Sequence, residues 1–298
     1  MFAVMVDIIL DTDIGDDIDD ALALLFALKS PELRVKAVTT VYGDVETRAM
    51  LALRIIEAMG FGDLPVQPGA SKPLLEARPS HRPNQAVVLE GWKPKLPVRW
   101  ERDAGNAVKL IAEMVEESRG DVTIVSVGPL TNIALALATY PWIAEEARLV
   151  MMAGCYSWQE AEYNASRDPE ATRIVFESGI PLTMVGIDVT LKCRMNRDQV
   201  EAFKMSELPE VKLVYRMMEA WMEATGRRHF PILHDPLAVA VSFARDLVKT
   251  MPMRIRVEVR GEYTRGFTVP TQGTPNADVC VDVDKDRFMD LFMRRVLG

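Results

Sequence analysis

Residues 9–24 read ILDTDIGDDIDDALAL, and the class of fold is legible in this one stretch. The apolar run Val4 to Leu10 leads into it, and Asp19 to Ser30 (DDALALLFALKS) continues it with helical periodicity. A strand, an acidic turn at its carboxyl end and a following helix make the first half of a βαβ unit. The unbroken apolar strand is the form expected where helices cover both faces of a parallel sheet.

Working outward, the same alternation recurs. Val35 to Val41 precedes a helical segment from Thr47 to Met59, in which Leu51, Ile55, Ala58 and Met59 fall at helical spacing. Asp121 to Val127 runs into GPLTNIALALA, Arg148 to Met152 precedes a loop, and Pro181 to Gly186 supplies another short strand. Residues 198–226 read as helical and 254–283 as β structure. The expectation is an α/β fold: a single domain over residues 1–298 with a mostly parallel, Rossmann-like central sheet flanked by helices. Seven of the 18 prolines lie from Pro65 to Pro97. Residues 62–104 therefore read as an excursion of loops and edge structure within that domain.

Charge sharpens the picture. The chain carries 35 Lys and Arg against 43 Asp and Glu, a formal charge of −8, and residues 11–20 alone hold six carboxylates and no base. The rest of the chain is close to balanced, which argues against nucleic acid as a partner. A hydrophobic content of 49% excludes wholesale disorder. Asp7 interrupts the first apolar run, which lacks a basic lead, and nothing later reaches the roughly 18 apolar residues of a membrane span. Three separated cysteines, with no CxxC pair, suggest a reducing, cytoplasmic setting.

Helix capping accounts for two or three of the six carboxylates. It does not account for Asp11 and Asp13, which alternate on the strand and so share a side. Their mutual repulsion calls for a cation. The spacing is not that of an EF-hand, and three histidines in the chain disfavour an imidazole zinc site, leaving calcium or magnesium. Two further segments stand out: AEYNASRDPEA at 161–171, and LHDPLAVA, where His234 and Asp235 open a helix. Taken alone they read as a solvated loop and a cap. Arg227-Arg228-His229 reads as a solvated turn, and His81 as an exposed loop residue.

In content and order, the acidic start, SVGPLTNIALAL, LVMMAG, AEYN, HDPLAVA and the VDVDKDRFMDL ending resemble the inosine-uridine preferring nucleoside hydrolase family. The resemblance implies an α/β domain that hydrolyses the N-glycosidic bond of ribonucleosides to base and ribose, with one calcium ion per subunit and a cation-activated water as nucleophile. Matched to the motifs, Asp13, Asp20, Asp235 and the Thr131 carbonyl would be metal ligands. Asp13 would also be general base and His234 the acid, its ordinary pKa near 6.5 suiting that work. Asp19, Met152, Glu162 and Asn164 would hold the ribose, as would Asp44 where the family has Asn.

The family pattern is not matched throughout. The Gly15 to Asp19 turn is two residues longer than usual, so Asp16 or Asp17 is an alternative ligand, and Tyr156 stands where the family places a ribose-binding Asn. Family members are usually homodimers or homotetramers. Two competing readings are a haloacid-dehalogenase-like phosphatase using Asp11 and Asp13 as its DxD pair, and a non-catalytic calcium-dependent nucleoside-binding protein.

Overall fold

The computed structural model describes residues 5–75, 81–95, 100, 105–226 and 229–298. Parts of the proline-rich excursion and the Arg227-Arg228 pair lie outside those residues. Among the described residues, nine strands form one sheet: β1 (Val6–Thr12), β2 (Leu33–Thr40), β3 (Val66–Pro68), β4 (Val122–Ser126), β5 (Ala147–Met151), β6 (Leu182–Met184), β7 (Val248–Val257), β8 (Thr268–Thr271) and β9 (Ala277–Val283). Their order is β3-β2-β1-β4-β5-β6-β9-β7-β8. The run from β3 through β9 is parallel, while β7 returns antiparallel to both β9 and β8. No described helix is long and apolar enough to cross a membrane.

The helices are α1 (Asp19–Lys29), α2 (Val45–Ala58), α3 (Gly105–Glu117), α4 (Thr131–Thr139), α5 (Ile143–Glu146), α6 (Tyr163–Arg167), α7 (Pro169–Glu177), α8 (Ile187–Thr190), α9 (Arg197–Met205), α10 (Pro209–Ala224), α11 (His234–Phe243) and α12 (Lys285–Leu297). They divide between the two faces of the sheet. In β1, Ile8 and Leu10 join a core with α1, α10, α11 and α12, whereas Ile9 faces the core built with α3, α4 and α7. Alternate residues of one strand thus fill two cores, which is why its sequence is apolar throughout.

Two helices decide where the site forms. From Asp19 to Ala27 every residue of α1 is buried, and from Asp235 to Val241 every residue of α11 is too. Both are apolar on all sides, as helices enclosed within a core must be. They pack against each other, and both open with carboxylates, so packing carries Asp19, Asp20 and Asp235 to one place.

The structure adds detail to the sequence expectation in two places. The helical stretch 198–226 is divided between two helices, α9 and α10. The break spans Ser206–Leu208, because Pro209 takes the first position of α10 and pushes the residue before it out of the helical region. The excursion also folds back on the acidic turn: Asn84 Nδ2 donates to Asp16 O and Gln85 N to Gly15 O, at 3.0 and 3.1 Å. Gly15 makes this possible. Its φ is +127°, and a Cβ there would lie 2.6 Å from that of Pro83.

Candidate active site

The carboxyl ends of β1, β4 and β5 meet at a cavity of ≈ 590 Å³, where a parallel sheet places its ligands. Asp13 follows β1, Val127 follows β4 and Met152 follows β5, and all three line it. Gly128 permits the close approach, since a Cβ there would sit 3.0 Å from the Asp13 amide nitrogen. Asp16, Asp17, Asp19 and Asp20 line the cavity from the acidic turn, Glu162, Asn164 and Arg167 from α6 and its cap, and His234 and Asp235 from α11.

On the cavity floor, Asp19, Asp20 and Asp235 each offer a carboxylate oxygen, and the three atoms lie within 4.8 Å of one another. All three side chains are buried. Burial first, and then repulsion by neighbouring acids, holds each of them well above the usual carboxylate range. Thr12 Oγ1 donates to Asp20, and the Asp235 amide reaches Asp19 at 3.4 Å. A hard cation with oxygen ligands fits this donor set, because it removes the repulsion that burial intensifies.

Arg48, from α2, has a structural task. Its buried guanidinium donates to the carbonyls of Tyr42, Asp13 and Ile14 and forms an ion pair with Asp16 at 2.7 Å. Asp16 also meets His81 Nε2 at 2.9 Å, so this exposed histidine ties the excursion to the turn. Neither Asp16 nor Asp17 belongs to the group of three carboxylates. Replacing Arg48 with methionine strips those carbonyls of their donor and leaves Asp16 with His81 alone. We expect a loss of about 3–5 kcal/mol, read from chemical denaturation.

Opposite the floor, Glu162 caps α6. Its Oε1 accepts from the Asn164 amide at 2.9 Å, and its Oε2 from Gly154 and Ala165 at 2.9 and 3.0 Å. Burial pushes this carboxyl up to about 7 against the pull of those three N–H groups. Asn164 Nδ2 donates to the Val127 and Met152 carbonyls, both at 2.9 Å, which anchors the amide to two strand ends. Its donors are consumed, so Oδ1 remains as acceptor.

His234 Nδ1 lies 2.6 Å from Thr190 Oγ1. Burial first, and then the positive Arg194, holds the imidazole down at about 4, rather than at the ordinary value expected from sequence. The ring is therefore neutral near pH 7. A Thr190 hydroxyl that donates to Nδ1 leaves Nε2–H as a hydrogen-bond donor, and the opposite tautomer leaves Nε2 as an acceptor.

Three expectations are corrected. Thr131 does not line the cavity: it opens α4, and its hydroxyl donates to Asp168 at 2.6 Å, so β4 reaches the cavity through Val127 instead. Asp44 caps α2, accepting from the Thr47 amide and hydroxyl, and is not a lining residue either. Asp11 does not share the cavity with Asp13. It is fully buried and takes Thr39 and Asn132 at 2.6 and 2.7 Å, so the phosphatase reading loses its nucleophile. Tyr156 lies off the cavity, where its amide donates to Asp188. Sequence gave no sign of Val127, Arg48 or Thr190, whose roles depend on backbone carbonyls and on distant partners.

Fold and site together define an α/β enzyme whose cavity, at the strand ends, combines a cation-competent carboxylate floor with a fixed amide and carboxylate wall. Residues 8–290 match the model of the inosine-uridine preferring nucleoside hydrolase family. The chain is 38% identical to a pyrimidine-specific ribonucleoside hydrolase from Salmonella agona, with 97% of each chain covered. It superposes on a plant nucleoside hydrolase with a TM-score of 0.86 at 28% identity, covering 98% of this chain and 99% of that one. For a purine-preferring ribonucleoside hydrolase from Gardnerella vaginalis the TM-score is 0.83 at 32% identity, covering 98% of each. The chain belongs to the inosine-uridine preferring nucleoside hydrolase family. It is an enzyme, an N-glycosyl hydrolase of ribonucleosides, and not a mere binding protein.

Proposed function

We propose that this hydrolase is calcium-dependent and that it cleaves the C1′–N bond with water as nucleophile. The observation that carries this proposal is the trio of buried carboxylates within 4.8 Å of one another, for which no described cationic side chain lies close enough to form an ion pair. Asp20 and Asp235 would be ligands, with Asp13 completing the set from β1. A hard divalent ion held there supplies Lewis acidity toward water and toward vicinal hydroxyls.

The chain's own residues do the rest. Asp13, at the end of a rigid strand, takes the proton of the attacking water as general base. Asp19 and the Asn164 Oδ1 accept from ribose hydroxyls, and Glu162 and the Met152 side chain close the sugar pocket around them. Positive charge develops on the sugar in an oxocarbenium-like transition state, and the dense carboxylates stabilise it. His234, neutral near pH 7, would offer its Nε2–H to the departing base as a hydrogen bond rather than act as a protonated acid.

The curated relative is pyrimidine-specific and one structural neighbour is purine-preferring, so the test spans both bases. The purified protein is incubated with uridine, cytidine, inosine and adenosine, and released ribose is measured as reducing sugar. We expect ribose release that a calcium-selective chelator abolishes and calcium restores. Turnover untouched by exhaustive chelation would refute the cation dependence, and release of phosphate alone from a phosphate ester would refute the mechanism.

A further inference from the structure

Eight carboxylate residues line the cavity, and among the described residues Arg167 is the one Lys or Arg that lines it with them. It pairs with none of the eight, although a guanidinium among carboxylates ordinarily does. Instead its guanidinium carbon stacks over the Tyr163 ring, 4.3 Å from the centroid. Its Nε is buried without an acceptor, and Tyr163 takes a side-chain hydrogen bond from the guanidinium. Stacking uses the face of the guanidinium, so the terminal N–H groups that Tyr163 does not take remain as donors on the cavity lining.

Location narrows what their partner is. The floor of Asp13, Asp19, Asp20 and Asp235 suits hydroxyls and a cation. Tyr163, Trp221 and Thr225 line the same cavity as Arg167, and aromatic rings are the surroundings a flat heterocycle requires. A phosphate is a poor match for a cavity so rich in carboxylates, whereas a neutral oxygen acceptor is not repelled.

We infer that Arg167 is a specificity-determining catalytic residue that donates to a ring carbonyl oxygen of the base, selecting oxo-substituted bases such as uracil and hypoxanthine over adenine. This inference rests on the hydrolase reading above. In the reaction the C1′–N bond breaks with its electron pair passing to the base, and a water oxygen bonds to C1′. The water's proton passes to Asp13 and on to solvent, and the departing base takes up one proton from solvent, so the step balances. The departing base spreads its charge from ring nitrogen to carbonyl oxygen, where a guanidinium stabilises it more strongly than it does the neutral substrate.

The test compares wild type with Arg167→Met and Arg167→Lys, their folding checked by thermal melts. For Arg167→Met we expect kcat/KM to fall by about 10- to 100-fold on uridine and inosine and by less than about threefold on adenosine, as for loss of one charge-assisted hydrogen bond. Lysine, a point donor without the fork, recovers part of the loss. Calorimetry gives a readout independent of turnover: uracil should bind the methionine variant about 10-fold more weakly, with adenine unchanged. Equal losses on uridine and adenosine, or on uracil and adenine, would overturn the assignment. So would hydrolysis of uridine 5′-monophosphate that depends on Arg167 more than hydrolysis of uridine does. Failure of the wild type to release ribose from any nucleoside would instead sink the hydrolase reading, and the calorimetry would still decide which base Arg167 recognises.

Discussion

Exchanging Asp235 for asparagine abolishes ribose release and at the same time makes the cation-free protein more stable. The two effects have one cause. Asp19, Asp20 and Asp235 offer carboxylate oxygens within 4.8 Å of one another and are buried on the cavity lining. At that distance two like charges repel by about 4 kcal/mol at an effective dielectric of 20, and proton uptake relieves only part of it. Asparagine keeps the shape, so α11 still starts where it does, but one charge is gone. A gain of about 1–2 kcal/mol is expected in chelator, or roughly 2–3 °C in melting temperature for a chain of this length. Wild type should recover more than that on adding calcium, since a ligand at about 100 times its dissociation constant adds about 2.7 kcal/mol. The variant should gain little. Melts with and without calcium, beside ribose release, check both halves. A variant destabilised in chelator, or one still stabilised by calcium as strongly as wild type, removes the cluster from the cation-binding role. A protein that accepts instability at its functional site and loses it on mutation is showing the trade-off between stability and activity.

Much of this was legible in residues 9–24, because a strand buried on both faces must be apolar throughout and the acids at its tip then have few explanations. Asp13, Asp19 and Asp20 followed from that run, and Asp235 joins them because α1 and α11 are both apolar on every side and must pack in the core. What escaped has a common physical character. Thr131 opens α4 away from the cavity lining, with its hydroxyl on the distant Asp168, and Asp44 spends its carboxylate on the start of its own helix. Asp11 alternates with Asp13 as strand geometry requires, but the strand ends between them, so the two face different partners. Arg48 works through carbonyls contributed by residues about 6 and 35 positions away. Hydrogen bonds to backbone carry no signature in the identity of the residue that accepts them, and an ordinary histidine pKa cannot anticipate burial beside Arg194.

Asp13→Ala should be nearly as damaging to turnover while leaving the fold intact. Arg48 binds residue 13 through its main-chain carbonyl, and its ion pair is with Asp16. Gly128 lies close to the Asp13 amide and the Val41 amide donates to the Thr12 carbonyl, backbone contacts that alanine at position 13 retains. The side chain is therefore free for chemistry. Burial pushes its carboxyl up, and Arg48 pulls it back toward the charged form. A carboxylate whose proton affinity is raised in this way is a better base than one in water, provided it remains ionised. Losing it should lower kcat by about 10²–10⁴-fold. The base acts on the water and not on the departing group, so the loss should be the same for uridine, inosine and p-nitrophenyl riboside. Loss of His234 should spare the nitrophenyl substrate, whose leaving group needs no proton. Single-turnover rates on the three substrates, with a chemical denaturation curve for the variant, separate the two roles. If Asp13→Ala hydrolyses p-nitrophenyl riboside at the wild-type rate, then residue 13 serves the leaving group or the metal alone, and the water loses its proton to another carboxylate on the same floor.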